Sequence, residues 1–171
     1  METSDVFADA FDRIHGVTHR AVEGLTPEVL AFRVDPDANS IAWLVWHLTR
    51  IQDDHVAGVA GTEQLWTSVG WYERFGLPFP RSAIGYGFSS DDVAAVQVSS
   101  VDLLLGYFDA VHEHTISYVQ TLTPPDLDRI VDESWDPPVT LGVRLVSVIS
   151  DNLQHAGQAA FVRGIAERRS D

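Results

Sequence analysis

Residues 147–164 read SVISDNLQHAGQAAFVRG, and their apolar side chains recur with the period of an α-helix. Polar side chains interrupt this helix at mid-length, at Asp151, Asn152 and His155. Asp151 and His155 are four residues apart, so they lie on one helix face. Because a buried carboxylate or imidazole is costly unless it is paired or ligated, this face predicts either a structural pair or a ligand site.

A second buried helix is predicted over residues 40–60. It begins SIAWLVWHLTRI, which is apolar on nearly every side and has His47 near its middle. Asp54 lies seven residues later, about 20° away around the helix, and shares the stripe of His47. Two ligands on one helix and a third on a facing helix would form a metal site with open coordination positions. The alternative is an Asp151–His155 hydrogen bond beside a core histidine.

The pattern of the whole chain is all-α. Four long helical segments are predicted, over residues 3–25, 40–60, 91–122 and 139–168. The third segment is expected to bend near Ser99 and Ser100, and short helical turns are expected after Thr26 and over residues 63–69. No period-2 strand is convincing. We therefore expect one domain over residues 1–171 with the architecture of a four-helix bundle.

Two long loops interrupt the helices, at residues 75–90 and 123–140. Each is longer than about 15 residues, which is unusual inside a small domain and often marks function. They carry aromatic side chains at Phe75, Phe79, Tyr86, Phe88 and Trp135. We expect both loops at one end of the bundle, where these rings would wall a pocket.

Charge and composition exclude several functions. The chain of 171 residues has a formal net charge of −14 and no cysteine. Nucleic acids and anionic membranes require a basic surface, so neither is an expected partner. The absence of cysteine excludes thiolate zinc fingers and iron–sulfur clusters, and any thiol would have to come from a small molecule. The acidic start and the lack of a long apolar run predict a soluble, cytoplasmic protein.

Other histidines are interpreted as surface residues. His15 and His19 have metal-ligand spacing, but they lie about 80° and 120° from the centre of the apolar stripe of their helix. A solvated flank is therefore predicted. Asp12 and Asp109 each stand three residues before a histidine, as in di-iron bundles, but aspartate replaces the glutamate used there. His112 is interpreted as part of an exposed helix surface.

Residues 39–56 (NSIAWLVWHLTRIQDDHV) and 147–164 resemble the two metal-bearing helices of the DinB/YfiT-like superfamily. More narrowly, they resemble its actinobacterial branch of mycothiol-dependent S-transferases. The resemblance spans nearly the whole chain, and the segment HAGQ at residues 155–158 is its most specific part. It implies a four-helix bundle with a divalent metal bound by His47, Asp151 and His155. Zinc is the expected metal, with nickel, iron or manganese as alternatives.

The chain departs from the family pattern at Asp151. Many members have histidine there, and the mycothiol-dependent maleylpyruvate isomerase type has glutamate. Aspartate keeps the negative ligand but shortens its arm by one methylene, which leaves the identity of the metal open. Because the sequence continues only a short way past His155, we do not expect the additional C-terminal domain of the isomerase, and the maleylpyruvate reaction is not implied.

The resemblance implies a thiol S-transferase that joins a low-molecular-weight, mycothiol-like thiol to a small electrophile. The reacting group would be a metal-bound thiolate or water. Asp54, Asn152 and Gln158 are predicted to support the ligands or to line the pocket. A non-catalytic, stress-related binding bundle and a metal-dependent hydrolase are the alternatives. A homodimer formed through an exposed apolar face is also expected.

Overall fold

The computed structural model describes residues 2–169, in which eight α-helices are accompanied by one small sheet. In chain order the elements are α1 (Thr3–Val22), α2 (Pro27–Leu30), α3 (Ile41–Ala60), α4 (Leu65–Ser68), α5 (Trp71–Phe75), α6 (Ser90–Ala95), α7 (Val101–Val119), a 3-10 helix (Pro124–Asp128), β1 (Ile130–Asp132), β2 (Val139–Thr140) and α8 (Leu141–Arg169). This order confirms the predicted all-α fold.

Side-chain caps explain where the long helices begin. Ser40 accepts a hydrogen bond from the Trp43 backbone N–H at 3.1 Å, which satisfies a free donor in the first turn of α3. Ser100 does the same for Leu103 at the start of α7, also at 3.1 Å. Gly61 ends α3 in the left-handed conformation, which glycine adopts without steric cost. Local sequence therefore fixes the length of the helices that form the bundle.

The four long helices form a ring of contacts. Helix α8 packs against α1 and α3, and α7 packs against the same two helices. The α3–α8 and α1–α7 interfaces therefore lie on opposite sides of the bundle. The core between them contains fully buried side chains, among them Phe11, Ile14, Trp46, Leu104 and Phe108.

Two predicted features of the secondary structure are wrong. The segment 91–122 is two helices, because an extended piece between α6 and α7 buries Val96 and Val98 in the core. The second loop contains a short antiparallel sheet, in which Ile130 pairs with Thr140 and Asp132 with Val139. Strands of two and three residues flanked by prolines are too short to give an alternating pattern.

The predicted domain covers residues 1–171, of which Met1, Ser170 and Asp171 lie outside the described residues. Its extent stays a prediction. Within the described part of the chain, none of the helices combines the length and the apolar character needed to cross a bilayer.

Candidate metal centre

His47 on α3 and the pair Asp151 and His155 on α8 come together at the α3–α8 interface. One ligand atom from each of the three residues lies within 4.8 Å of the other two. The His47 and His155 ring centroids are 4.9 Å apart, and His155 Nε2 lies 3.5 Å from Asp151 Oδ1. Ligand atoms around a tetrahedral Zn²⁺ stand about 3.3 Å apart, so small side-chain movements would close this set around one ion.

Both imidazoles are held by their Nδ1 atoms. His47 Nδ1 lies 2.5 Å from the Ile84 carbonyl oxygen, and His155 Nδ1 lies 2.9 Å from Gln158 Oε1. These oxygens only accept hydrogen bonds, so each Nδ1 donates and each Nε2 keeps its lone pair in the neutral ring. Metal-binding histidines are commonly oriented in this way. Gln158, which the sequence predicts as a supporting residue, contacts a candidate ligand directly.

The Asp151 carboxylate lacks a partner for one of its oxygens. Oδ2 is buried and is the one carboxylate oxygen without a hydrogen-bond partner among the buried atoms of residues 2–169. A buried acceptor left unpaired costs free energy, and for a charged group the cost is larger. A divalent cation bound between this oxygen and the two Nε2 atoms would remove that cost. The residues present therefore fit a metal ion.

The two imidazoles differ in their pKa. Burial lowers the pKa of His47, against the smaller opposing effect of the hydrogen bond to Ile84, so this ring is neutral at pH 7. Burial also acts to lower the pKa of His155, but hydrogen bonds to Asp151 and Gln158 outweigh it and the pKa is raised. Asp151 thus holds His155 in place, and His47 is in the protonation state that binds metal.

A buried polar network positions the loop that holds His47. Arg50 is fully buried, and its Nε donates to the Ala83 carbonyl at 3.1 Å. Its Nη1 donates to Tyr107 Oη at 3.2 Å, and that hydroxyl donates to Asp53 Oδ2 at 2.8 Å. Because Ala83 directly precedes Ile84, the network fixes the carbonyl that orients His47. The sequence leaves the role of Asp53 ambiguous and does not predict Arg50 as a site residue, although a charged pair in an apolar helix is a usable signal.

Gly85 is a second feature of the site that the sequence does not predict. It has a φ of +91°, and a Cβ added there would lie 2.8 Å from His47 Nδ1 and 3.0 Å from a Trp46 ring carbon. Only glycine therefore lets the loop approach His47 closely enough for the Ile84 hydrogen bond. The His47 ring also stacks on Trp43, with centroids 4.5 Å apart.

The other two predicted supporting residues do not contact the three candidate ligands. Asn152 is fully buried, and its Nδ2 donates to Gln52 Oε1 at 2.6 Å. Gln52 in turn donates to Thr115 at 2.8 Å, so Asn152 links α8 to α3 and α7. Asp54 accepts a hydrogen bond from Gln64 at 2.7 Å and lines neighbouring clefts.

Two clefts open beside the centre. One of about 350 Å³ includes Asp151 itself, with Tyr86 from the first loop on its wall. A second, of about 580 Å³, is lined by Arg129 and Arg144 and by β1 of the second loop. His55 lines both clefts, so they are neighbours. A small molecule in the cleft of about 350 Å³ would therefore contact Asp151, whereas His47 and His155 line neither of the two clefts.

Contrary to the prediction from the sequence, most of the loop aromatics do not wall these clefts. Phe75 is buried against Trp66, and Phe79 and Phe88 pack against the core. Trp135 is exposed and lines neither cleft. Tyr86 is the one aromatic of the predicted set that lines a cleft next to the centre within the described residues. Burial of apolar rings in the bundle is favoured over exposure at a polar cleft.

The interpretation of the α1 histidines as a solvated flank is wrong. His15 and His19 contact Asp109 on α7, and their side chains are 33% and 32% exposed. His112 also faces this interface, with a side-chain exposure of 12% rather than the predicted open surface. Helix α1 packs against both α7 and α8, so its buried arc is wider than one apolar stripe.

Fold and ligand set together define a class, the helical bundles with a candidate divalent-metal centre between two helices. Residues 10–159 match the DinB superfamily, and the chain belongs to that superfamily. The structure is similar to the crystal structure of a conserved protein of locus from Enterococcus faecalis, with a TM-score of 0.89 and 31% sequence identity. The match covers 95% of this chain and 96% of that chain. No functionally curated protein matches the sequence.

The family assignment confirms the broader part of the resemblance seen in the sequence. The DinB superfamily is associated with metals, and the chain contains candidate metal-binding groups. The narrower resemblance, to mycothiol-dependent S-transferases, stays a prediction.

Proposed function

We propose that this protein is a divalent-metal-dependent S-transferase that uses a low-molecular-weight, mycothiol-like thiol. The metal, Zn²⁺ in the first instance, would be held by His47, Asp151 and His155. The observation that supports this most is the unpartnered, buried Asp151 Oδ2 beside two imidazoles whose Nδ1 atoms are already held.

The charge of the donor set suits thiol activation. Two neutral imidazoles and one carboxylate contribute one negative charge, so a divalent cation keeps a net positive charge. When bound, the metal supplies a lower pKa for a thiol in the adjacent cleft, which makes the thiolate available at neutral pH. Because the chain has no cysteine, the thiol is a cosubstrate.

The clefts suit a polar thiol. The cleft of about 350 Å³ that reaches Asp151 is bordered by hydroxyl and amide groups of Ser147, Ser150 and Gln154. The neighbouring cleft adds the guanidinium groups of Arg129 and Arg144 in a chain that is otherwise strongly acidic. A thiol with a large polar body would bind along both, with its sulfur at the Asp151 end. The electrophile would enter beside the exposed Tyr86 ring.

Elemental analysis of the metal-reconstituted protein tests the centre. We expect Asp151→Asn and His155→Ala to lose one equivalent of divalent metal relative to the wild type. His114→Ala is the control, because His114 lies on α7 outside the centre and its described hydrogen bond is to Thr62. Unchanged metal content in both centre variants, with helical circular dichroism intact, would contradict the ligand assignment.

A thiol-consumption assay tests the reaction. With a low-molecular-weight thiol and chlorodinitrobenzene, a carbon–sulfur bond forms, chloride leaves and the thiol proton passes to solvent. We expect Asp151→Asn to lower the rate by at least roughly 100-fold, while His114→Ala leaves it unchanged. Metal binding without turnover for any thiol would favour the non-catalytic bundle. Ester hydrolysis without thiol would favour the hydrolase.

The predicted homodimer stays a proposal. Helix α8 exposes Val143, Val146, Leu153 and Phe161, apolar side chains that are 44% or more exposed. A second copy of the chain is the occupant that we propose for this helix, and sedimentation of the purified protein measures it. A monomer at micromolar concentration would contradict the dimer.

A further inference from the structure

A second cluster of metal-ligating side chains lies at the α1–α7 interface, on the other side of the bundle. His15 Nε2 and His19 Nε2 lie 2.9 Å and 2.6 Å from the same oxygen, Asp109 Oδ1. The two histidines are four residues apart and share a face of α1, and the carboxylate comes from α7. One ligand atom from each of the three residues lies within 4.8 Å of the other two.

The surroundings of this cluster restrict the rings. The His15 and His19 centroids are 4.3 Å apart, and Phe108 stacks on His15 at 5.6 Å. His112 lies 4.4 Å from His15 on the other side, and its Nε2 is 3.0 Å from Asp12 Oδ1. Three imidazoles and two carboxylates thus share one partly buried patch. Imidazole groups are ligands that Zn²⁺ and other divalent transition metals prefer, and here they lie next to carboxylates.

The charge around the cluster favours a cation. The only partners of Asp109 in the described hydrogen bonds and ion pairs are His15 and His19, and neither Asp109 nor Asp12 contacts an arginine. His19 also lines a cleft of about 470 Å³. The described lining of that cleft contains the carboxylates of Glu23 and Asp102 but no arginine. The side chains that line this cleft in the described part of the chain are therefore negative or neutral, and the nearby Arg163 guanidinium is hydrogen-bonded to the carbonyl oxygens of Arg20 and Glu23.

We infer that His15, His19 and Asp109 form a second divalent transition-metal site, which takes Zn²⁺ and is independent of the centre on α3 and α8. Two imidazole nitrogens and one carboxylate oxygen form a three-ligand set, with further positions open toward the cleft. On binding, each imidazole moves its proton to Nδ1, so that Nε2 coordinates the metal in place of donating to Asp109. The bound ion clamps α1 to α7.

The test uses the full-length chain with the first centre disabled. In an Asp151→Asn/His155→Gln background, zinc titration by calorimetry reads the second site alone. We expect one zinc ion per chain, and a rise in Tm of about 5–10 °C at a free zinc concentration roughly 100 times Kd. Adding Asp109→Asn should weaken zinc binding by at least about tenfold and abolish most of the Tm rise. Adding His114→Gln, on the same helix but outside the cluster, should change neither.

The inference is overturned if the background variant binds no zinc, or if Asp109→Asn leaves its affinity unchanged. In either case the cluster is a hydrogen-bonded contact between two helices. His19→Gln serves as a second ligand variant if Asp109→Asn loses helical circular dichroism. Because the first centre is already disabled, failure of this site leaves the proposed thiol chemistry untouched.

Discussion

The α3–α8 centre and the α1–α7 cluster are assembled from the same groups in different ways. Each contains two histidines and one aspartate, with two of the three residues four apart on one helix. At α3–α8 both Nδ1 atoms are held by oxygens from outside the set, Ile84 O and Gln158 Oε1. At α1–α7 the candidate ligands hold one another, because Asp109 accepts from both histidines.

The α3–α8 centre is therefore the more preorganised of the two for binding a metal ion. At α3–α8 the Asp151 Oδ2 atom is left without a partner, and the contact within the set is the long one of 3.5 Å between His155 Nε2 and Asp151 Oδ1, so a cation displaces less there. At α1–α7 a cation must displace two existing hydrogen bonds before it binds. We therefore expect tighter metal binding at α3–α8 than at α1–α7.

The largest effect on stability is expected in the buried network of Arg50, Asp53 and Tyr107 that positions the loop at the α3–α8 centre. Arg50→Ala leaves the buried Asp53 carboxylate without its cation, and breaking a buried pair in this way costs about 3–5 kcal/mol. Urea unfolding of the metal-free protein measures the loss. Arg13→Ala on α1 is the matched control, since its ion pair with Asp9 is exposed and should not change stability measurably. Equal unfolding free energies of the two variants would show that the Arg50 network does not stabilise the fold.

The next effect concerns the close approach of the first loop. Gly85→Ala places a Cβ 2.8 Å from His47 Nδ1 at a φ of +91°, so the loop must move away and the Ile84 hydrogen bond breaks. We expect a destabilisation of at least about 2 kcal/mol from strain and steric overlap, together with weaker metal binding. Gly87→Ala has a similar φ of +73° but nothing within 4 Å of its Cβ. It should destabilise by about 1 kcal/mol and leave metal affinity unchanged, as calorimetry would show.

The helices and the three candidate ligands could be predicted from the sequence because they depend on local spacing. The apolar run over residues 41–46 predicts a buried helix, and His47 directly follows it. The i, i+4 spacing of Asp151 and His155 places both on one face wherever that helix packs. Both deductions need no knowledge of the neighbouring elements.

The features of the two sites that the sequence does not predict depend on tertiary contacts. Ile84 and Gly85 act through a loop that reaches α3 from 37 residues away along the chain, and no local pattern indicates where it lands. The prediction of a solvated flank for His15 and His19 is wrong because it measures their angles from the centre of a single apolar stripe. Such an angle assumes that the helix packs against only one neighbour. Helix α1 has two, so side chains well away from the stripe still face α7.

A smaller effect is expected at the hydrogen bond that orients His155. Gln158→Leu removes the acceptor of the Nδ1–H group, and loss of such a supporting contact lowers metal affinity by about 10–100-fold. Gln154→Leu is the control on the same helix, because Gln154 donates to Ser150 and touches no candidate ligand. Competition with a chromogenic zinc chelator measures both. Equal affinities would mean that Gln158 does not orient the ring.

The smallest effect is a change in pH dependence at α1–α7. Burial, followed by the neighbouring His15, lowers the pKa of His112, while Asp12 and Asp109 oppose the shift. The unfolded chain therefore takes up a proton on His112 near pH 6.5, and the folded chain takes it up only at lower pH. By linkage, stability is lost as pH falls from 7 toward 5.

In the metal-free protein, His112→Gln should make the plot of unfolding free energy against pH shallower over this range. His114→Gln, two residues further along α7, should leave it unchanged. A slope that His112→Gln does not alter would mean that His112 is accessible to protons in the folded bundle, and that the α1–α7 interface is more open than its contacts indicate.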